Sequence, residues 1–208
     1  MYTVKELFYT LQGEGRHSGR PAVFCRFSGC NLWSGREVDR SRAICRFCDT
    51  DFVGTGPDGG RFTTAQELAE RIHTEWRGQG GTPYVVFTGG EPLLQLDHAL
   101  INAVHTYGFE IGVETNGSLP APDGIDWLCV SPKAGAPFLQ TRGDELKLVY
   151  PQTGLDPATL STLGFSVFYL QPLDDPERHA HRKAAIDYCL AHPQWRLSVQ
   201  THKILEIR

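Results

Sequence analysis

Short apolar segments recur along this chain, and most of them end in polar residues. Seven such segments span residues 22–29, 84–91, 109–117, 126–133, 145–150, 167–172 and 196–203. Their β-branched and aromatic content, bounded by glycine and proline, is typical of buried parallel strands. Helical patterns separate several of the segments, and this alternation predicts an α/β fold.

Several helix starts can be placed from the sequence. Thr64 and Glu67 have the spacing of a capping box, and Asp156 and Asp175 each precede a proline, as an N-cap residue often does. Apolar residues at helical spacing predict a further amphipathic helix over residues 96–104. The chain therefore carries helices between strands, as α/β architectures require.

Two connections lack a helical pattern. Residues 117–125 and 133–144 are rich in proline and glycine and show no helical period. A complete eightfold α/β barrel usually needs about 250 residues, and this chain has 208. We therefore expect residues 1–208 to form a single domain, a partial TIM-type barrel of parallel strands with some outer helices missing.

The polar ends of the strand segments predict one pocket. Reactive groups of α/β barrels lie at the carboxyl ends of the strands. Those ends carry Arg26, residues 88–91, residues 114–116, residues 131–133, Gln171 and His202. Lys147 alternates with Leu146 and Leu148, and this pattern leaves open whether Lys147 enters the pocket or faces solvent.

We expect a cytoplasmic protein from the apolar runs and the N-terminal sequence, and the composition is ordinary for a globular chain. The net charge is −4 with no run of Lys and Arg, which argues against a nucleic-acid partner. No apolar run approaches the roughly 20 residues of a membrane span, and the N-terminal stretch lacks the regions of a signal peptide. In a reducing compartment, clustered cysteines are more often metal-binding or catalytic than bridged.

Four of the six cysteines lie within residues 25–50. A closed four-thiolate zinc site is the simplest interpretation. Against it, Cys25 lies beside Arg26 in a strand segment, where neighbouring side chains point to opposite faces. If Arg26 points into the pocket, Cys25 packs in the apolar layer outside it. A thioredoxin-like use of Cys45 and Cys48 is disfavoured, because no strand precedes them at the right place.

Two more cysteines, Cys129 and Cys189, lie in apolar patterns and are expected to pack in the core. Cys30, Cys45 and Cys48 then remain. Three thiolates on a four-iron cluster leave one iron open to an exogenous ligand, which is what separates a reactive metal site from a closed structural one.

A second motif, TGGEP at residues 88–92, lies between a strand and a helix. Taken alone it is a glycine turn, although glycines also let a ligand approach the backbone closely. Together with the three cysteines it resembles the radical S-adenosylmethionine (SAM) superfamily. The resemblance implies a [4Fe–4S] cluster that reduces SAM to methionine and a 5′-deoxyadenosyl radical, with this turn holding the methionine amino group.

The cysteine spacing departs from the C-x3-C-x2-C usual in that superfamily. Ser34 stands where a second cysteine would fall, and a cluster-loop insertion at residues 31–50 supplies Cys45 instead, giving C-x14-C-x2-C. The flanking sequences resemble the 7-carboxy-7-deazaguanine synthase family over nearly the whole chain. The matching segments are YTLQGEG, SGCNLW, CDT, TGGEPLLQ, VETNGS, VSPK, ELKLVY, YLQP and QTHK.

The family resemblance implies roles for the matching positions. Substrate contacts are implied for Gln12, Glu14, Gly15, Arg26, Thr88 and His202. SAM contacts are implied for Phe47, Gly89, Gly90, Glu91, Glu114, Asn116, Ser131, Lys133 and Gln171. The implied metal ligands are Cys30, Cys45 and Cys48 for the cluster and Thr50 for Mg²⁺.

The resemblance also implies the reaction, which belongs to the queuosine pathway. Hydrogen-atom abstraction from C6 of 6-carboxy-5,6,7,8-tetrahydropterin is followed by ring contraction and loss of ammonia, giving 7-carboxy-7-deazaguanine. Such an enzyme is a carbon–nitrogen lyase. The family further implies a homodimer that receives its electron from a flavodoxin or ferredoxin.

Two other functions fit the sequence less well. An activase that makes a glycyl radical on a partner protein would leave the LQGEG and QTHK segments without a pterin to bind. A zinc-stabilised binding protein would need Cys25 as its fourth ligand and would leave the TGGEP motif unexplained.

Overall fold

Nine strands form one sheet in the computed structural model, which describes residues 1–208. The strands are β1 (Tyr2–Leu11), β2 (Pro21–Phe27), β3 (Gly60–Phe62), β4 (Tyr84–Gly89), β5 (Glu110–Thr115), β6 (Trp127–Val130), β7 (Arg142–Tyr150), β8 (Gly164–Pro172) and β9 (Trp195–Leu197). Their order in the sheet is β3-β1-β2-β4-β5-β6-β7-β8-β9. From β2 to β9 all neighbours are parallel, whereas β1 pairs antiparallel with β2 and β3. All seven predicted segments therefore contribute to the parallel part of the sheet.

Helices connect several of the parallel strands. They are α1 (Ala65–Glu75), α2 (His98–His105), α3 (Pro157–Leu160), α4 (Arg178–Ala191) and α5 (Thr201–Leu205). Short 3-10 turns cover Gly15–His17, Glu37–Arg42 and Pro92–Leu94. None of the helices has the length and apolar character that crossing a membrane would require.

The two faces of the sheet differ in polarity. On the outer face, Val85 and Phe87 of β4 and Leu146 and Leu148 of β7 belong to one apolar cluster with side chains of α1 and α2. Cys25 of β2 is fully buried in the same cluster. Because side chains alternate along a strand, the polar residues between these positions share the inner face, where the site lies.

The sequence pattern does not predict β1. Its centre carries Lys5 and Glu6, which interrupt the apolar run, and its register with β2 shifts between Val4 and Glu6. The strand still buries Leu7 in the outer apolar cluster and Phe8 in a smaller cluster with side chains of β2 and β4. Tertiary packing therefore overrides the local charge pattern.

Helix capping largely follows the sequence. The Thr64 hydroxyl accepts from the Glu67 N–H, and the Glu67 carboxylate accepts from the Thr64 N–H, each at 3.2 Å. The predicted capping box is thus confirmed. Asp156 caps α3 as predicted, accepting from two backbone N–H groups, and α2 overlaps the amphipathic helix predicted there.

Two predicted boundaries need correction. The helix expected directly after Asp175 begins later, at Arg178, because the Asp175 carboxylate accepts from the Glu177 N–H at 2.8 Å and closes a turn before the helix. The last strand segment ends at Leu197, and the chain then turns into α5 at Thr201. His202 therefore lies on a short helix and not at a strand end.

We expect Thr64→Ala to lower the free energy of unfolding by about 1 kcal/mol, because it removes the side-chain acceptor at the start of α1. Thr63→Ala is the matched control, since Thr63 contributes only its backbone N–H to this cap. Urea unfolding followed by circular dichroism measures both. Equal effects of the two substitutions would contradict a role for the Thr64 hydroxyl.

Candidate active site

A cavity of ≈ 490 Å³ lies against the inner face of the sheet, at the carboxyl ends of the parallel strands. This volume falls within the roughly 300–1,000 Å³ of small-molecule sites. All of the residues predicted for substrate, SAM or metal line it, with the exceptions of Gly15 and Glu91. The polar strand ends therefore share one cavity, as the sequence pattern indicates.

One end of the cavity holds three thiols. Cys30 follows β2, whereas Cys45 and Cys48 follow the 3-10 turn Glu37–Arg42, and all three are free. A hydrogen bond between Cys45 and Cys48 lowers the pKa of Cys48 and raises that of Cys45. Burial raises the pKa of Cys30.

The loop that carries the last two thiols is held by its own side chains. The Arg40 guanidinium donates to the carbonyls of Arg46 and Cys48 at 2.8 and 3.0 Å. It also lies over the ring of Trp33, which packs with Phe52 in a small apolar cluster. The insertion is thus a folded support for the thiol end of the cavity.

The four-thiolate zinc interpretation lacks its fourth ligand. Cys25 is fully buried in the outer apolar cluster, on the opposite face of β2 from the cavity. No group of three or more His, Cys, Asp or Glu side chains has an arrangement that could hold a single metal ion. Three free thiols around one cavity end remain a donor set that suits a larger iron–sulfur cluster.

The TGGEP turn brings the end of β4 beneath residues 28–31, the segment after β2 that carries Cys30 and is called the Cys30 loop below. The Gly90 N–H donates to the Phe27 carbonyl at 3.3 Å, and the Glu91 N–H donates to the Gly29 carbonyl at 2.9 Å. A Cβ atom at Gly90 would overlap the Gly29 carbonyl and lie 2.8 Å from the Cys30 Cβ. Only glycine fits at this approach.

Glu91 does not line the cavity. Its carboxylate is fully buried and accepts from the Thr115 hydroxyl at 2.7 Å, the Asn116 N–H at 2.8 Å and the Leu93 N–H at 3.0 Å. Burial raises the pKa of Glu91, and the three hydrogen bonds oppose that rise. The Glu91 carboxylate therefore joins the ends of β4 and β5, and the SAM contact predicted for Glu91 stays a prediction.

Gly15 also lies outside the cavity wall. Its φ of +63° is in the left-handed region, and a Cβ atom there would overlap the Glu145 carboxylate. The Gly15 N–H donates to the Ser198 hydroxyl at 3.0 Å. The Arg16 N–H donates to Glu145 at 3.0 Å, so Gly15 and its neighbours hold the loop that carries Glu14.

An ammonium and two carboxylates form the floor of the cavity. The Lys147 Nζ lies 2.5 Å from Glu14 Oε2 and 3.5 Å from Glu114 Oε1. Gln12 donates to Glu114 Oε1 at 3.0 Å, and Gln171 and Gln200 donate to Glu14 Oε1 at 3.1 and 3.0 Å. The sequence pattern did not decide whether Lys147 enters the pocket or faces solvent. The structure places Lys147 inside the cavity with 5 % of its surface exposed.

Polar groups predicted for SAM lie between this floor and the thiols. The Lys133 Nζ donates to the Ser131 hydroxyl at 2.7 Å, and burial lowers the pKa of Lys133. Asn116 donates to Asn31 at 3.1 Å, which in turn donates to Ser118 at 2.8 Å. The Asn116 bond ties the end of β5 to the Cys30 loop, whereas the Lys133 bond lies within the segment after β6.

Arg26 is already paired in this structure. Its Nε donates to Glu6 Oε1 at 2.8 Å, and Arg208 donates to the other Glu6 oxygen at 2.8 Å. Both arginines line the cavity. Arg208 and Glu6 were not predicted as site residues, because neither belongs to a motif or to a predicted strand end.

The C-terminal helix α5 covers one side of the cavity. His202 packs so closely against Gly13 that a Cβ atom there would overlap its ring. Lys203 pairs at 2.7 Å with Asp49, which precedes Thr50, and at 2.7 Å with Asp174 after β8. Lys203 was missed, because nothing in the sequence links it to the cysteine loop.

The fold and the cavity define a radical SAM protein. Residues 40–141 match the family model of the Radical SAM superfamily, a span that includes Cys45, Cys48 and the TGGEP turn. A 7-carboxy-7-deazaguanine synthase of Bradyrhizobium diazoefficiens is 64% identical over 208 residues, which are 100% of this chain and 99% of the relative. One of Caulobacter vibrioides is 62% identical over 205 residues, 98% of each chain. The chain belongs to the 7-carboxy-7-deazaguanine synthase family.

A solved structure supports the same placement. The crystal structure of QueE from Escherichia coli superposes with a TM-score of 0.72 at 26% sequence identity, covering 96% of this chain and 93% of that one. The fold class predicted from the sequence is thereby confirmed as an α/β radical SAM fold with a parallel-dominated sheet.

Proposed function

We propose that this protein contracts the ring of 6-carboxy-5,6,7,8-tetrahydropterin to 7-carboxy-7-deazaguanine with loss of ammonia. The observation that carries the proposal is a single cavity that joins three free thiols to a floor of two carboxylates. Full-length similarity to 7-carboxy-7-deazaguanine synthases supports it. The cavity needs both ends, because one end would hold the radical source and the other the substrate.

Cys30, Cys45 and Cys48 would hold a [4Fe–4S] cluster, with SAM beside it against Ser131 and Lys133. When bound, the cluster supplies the electron that cleaves SAM and so starts the radical chemistry. The Gly90 backbone lets the polar turn approach that end without a side chain in the way. Positioning and the exclusion of water are then the main tasks of the protein.

Substrate recognition falls to the other end of the cavity. Glu14 is set to accept from the guanidine-like edge of the pterin, with Gln12 fixing Glu114 beside it. Arg26 would pair with the substrate carboxylate in the bidentate manner of a guanidinium. It would then exchange its bond to Glu6 for one to the substrate.

We also propose finer features that accompany this function. Residues 1–208 would form one radical SAM domain, a partial barrel of parallel strands with the insertion at residues 31–50 beside the cluster. Thr50, which lines the cavity next to the thiols, would be the protein ligand of Mg²⁺, with the substrate carboxylate and water completing the shell. The enzyme would act as a cytoplasmic homodimer reduced by a flavodoxin or ferredoxin.

Anaerobic reconstitution with iron and sulfide tests the proposal, followed by EPR of the reduced protein with and without SAM. We expect a [4Fe–4S]⁺ signal that SAM alters, and then conversion of 6-carboxy-5,6,7,8-tetrahydropterin to 7-carboxy-7-deazaguanine by mass spectrometry. Removing Mg²⁺ with a chelator should slow turnover, and adding it back should restore the rate. A colourless zinc protein, or SAM cleavage without the deazaguanine product, would contradict the proposal.

A further inference from the structure

Lys147 occupies an unusual position on the floor of the cavity. It lies on the inner face of β7, with its Nζ between Glu14 on the loop after β1 and Glu114 on β5. The Lys147 side chain is 6 % exposed, against 14 % for Glu14 and 24 % for Glu114. The ammonium is therefore more deeply buried than the two carboxylates, which keep their open sides towards the cavity.

A carboxylate that is withdrawn from water into a cavity normally resists ionisation, because the loss of hydration disfavours its charged form. The buried ammonium changes this balance here. Burial by itself would raise the pKa of Glu14, but the charge and hydrogen bond of Lys147 outweigh burial and hold that pKa well below its usual range.

The two carboxylates in turn keep Lys147 charged. Burial acts to lower its pKa, but the charges of Glu114 and Glu14 hold that pKa above its ordinary value. The other ionisable groups that face these residues are Cys129 on β6, Lys133 after β6, Glu145 on β7, Tyr84 on β4 and His202 on α5. Lys147 is the group among them that lies between the two carboxylates and bonds to Glu14.

We propose that Lys147 is a positioning residue for the pterin, holding the Glu14 carboxylate ionised and fixed beside Glu114, so that both are aimed at the donor-rich edge of the substrate. The inference rests on the proposed function and adds a residue that acts through Glu14 and Glu114 and not on the reacting atoms. Each carboxylate then accepts from substrate N–H groups, while Lys147 and the glutamine amides occupy the remaining lone pairs.

Lys147→Met tests this, because methionine keeps much of the length of the side chain and removes the charge. The probe is 6-carboxypterin, which carries the same guanidine-like edge and carboxylate and reports its own binding by fluorescence anisotropy. Affinity is measured for the parent and the variant from about pH 5.5 to about pH 7.5. His202 is present in both proteins, so the ratio of their affinities removes the contribution of His202 to the pH dependence.

The expected result is a loss that depends on pH. Without the ammonium, burial raises the pKa of Glu14, so Glu14 retains a proton near neutral pH, and binding requires that proton to leave. We expect the variant to bind about tenfold or more weakly than the parent at pH 7, with a ratio that worsens by up to about tenfold per unit as pH falls. Lys147→Arg, which keeps the charge, should recover much of the affinity and flatten the ratio.

A purely structural role predicts a different pattern. A ratio of parent to Lys147→Met affinity that is the same at every pH, or an unchanged affinity, would overturn the inference. The SAM-induced change in the EPR signal, which depends on the other end of the cavity, verifies that the variant is folded. If Lys147→Met does not fold, Glu14→Gln is compared with the double variant Glu14→Gln/Lys147→Gln. Because Glu14→Gln already removes the Glu14 charge, adding Lys147→Gln should lower the affinity for 6-carboxypterin little further. If the parent protein itself fails to bind 6-carboxypterin, the proposed function fails, and not this inference alone.

Discussion

Cys45→Ala is expected to yield a protein that folds but retains little iron and no turnover. Cys45 is one of three free thiols at one end of the cavity, and losing a thiolate leaves a four-iron cluster with too few protein ligands. Mutation of a residue that supports a metal ligand typically lowers metal affinity or activity about 10–100-fold. We therefore expect loss of a ligand itself to lower turnover by more than about 100-fold. Iron and sulfide content, visible absorbance and product formation measure the effect.

Cys25→Ala is the matched control, because Cys25 belongs to the same cysteine-rich segment but faces away from the cavity. Its side chain is fully buried in the outer apolar cluster. Removing a buried sulfur there should cost about 1 kcal/mol of stability and leave iron content and turnover unchanged. If Cys25→Ala lost its iron as Cys45→Ala does, four thiolates would be involved and the radical SAM assignment of the cysteines would be wrong.

The contrast between Cys25 and Arg26 was predictable because it depends on one local rule. Side chains alternate along a strand, so a polar residue at a strand end and an apolar one before it fall on opposite faces. Thr88 and Glu114, which were predicted from their places at strand ends, lie on the inner face by the same rule. The strand segments, the capping box at Thr64 and the common cavity could likewise be predicted, because each depends on a local sequence pattern.

Lys147 shows where that rule stops. Alternation places Lys147 on the face opposite Leu146 and Leu148 but does not show whether that face meets the cavity or solvent. Its carboxylate partner Glu14 is 133 residues away in the sequence. The partners of the Glu91 carboxylate were not predictable for a related reason. The backbone N–H groups that donate to its oxygens belong to the next turn and to the end of β5. Partners of this kind depend on the folded sheet.

Gly90→Ala is expected to damage the thiol end of the cavity without touching a thiol. The added Cβ would overlap the Gly29 carbonyl, which already accepts the Glu91 N–H, and would press on the Cys30 Cβ at 2.8 Å. One contact is to a backbone carbonyl and the other to a Cβ atom, so neither is the end of a flexible side chain that could move aside. We expect a loss of about 3 kcal/mol in the free energy of unfolding, together with incomplete cluster assembly.

Gly60→Ala separates this steric effect from the general cost of changing a glycine. Gly60 lies on β3, its φ is not in the left-handed region, and an added Cβ would meet Phe62 at an ordinary 3.7 Å. That substitution should change stability by less than about 1 kcal/mol and leave the iron content at the parent level. If Gly90→Ala behaved like Gly60→Ala in both urea unfolding and iron content, the close approach of β4 to the Cys30 loop would not be needed to form the site. The turn would then owe Gly90 to the ligand alone, because the fold would tolerate a side chain at that position.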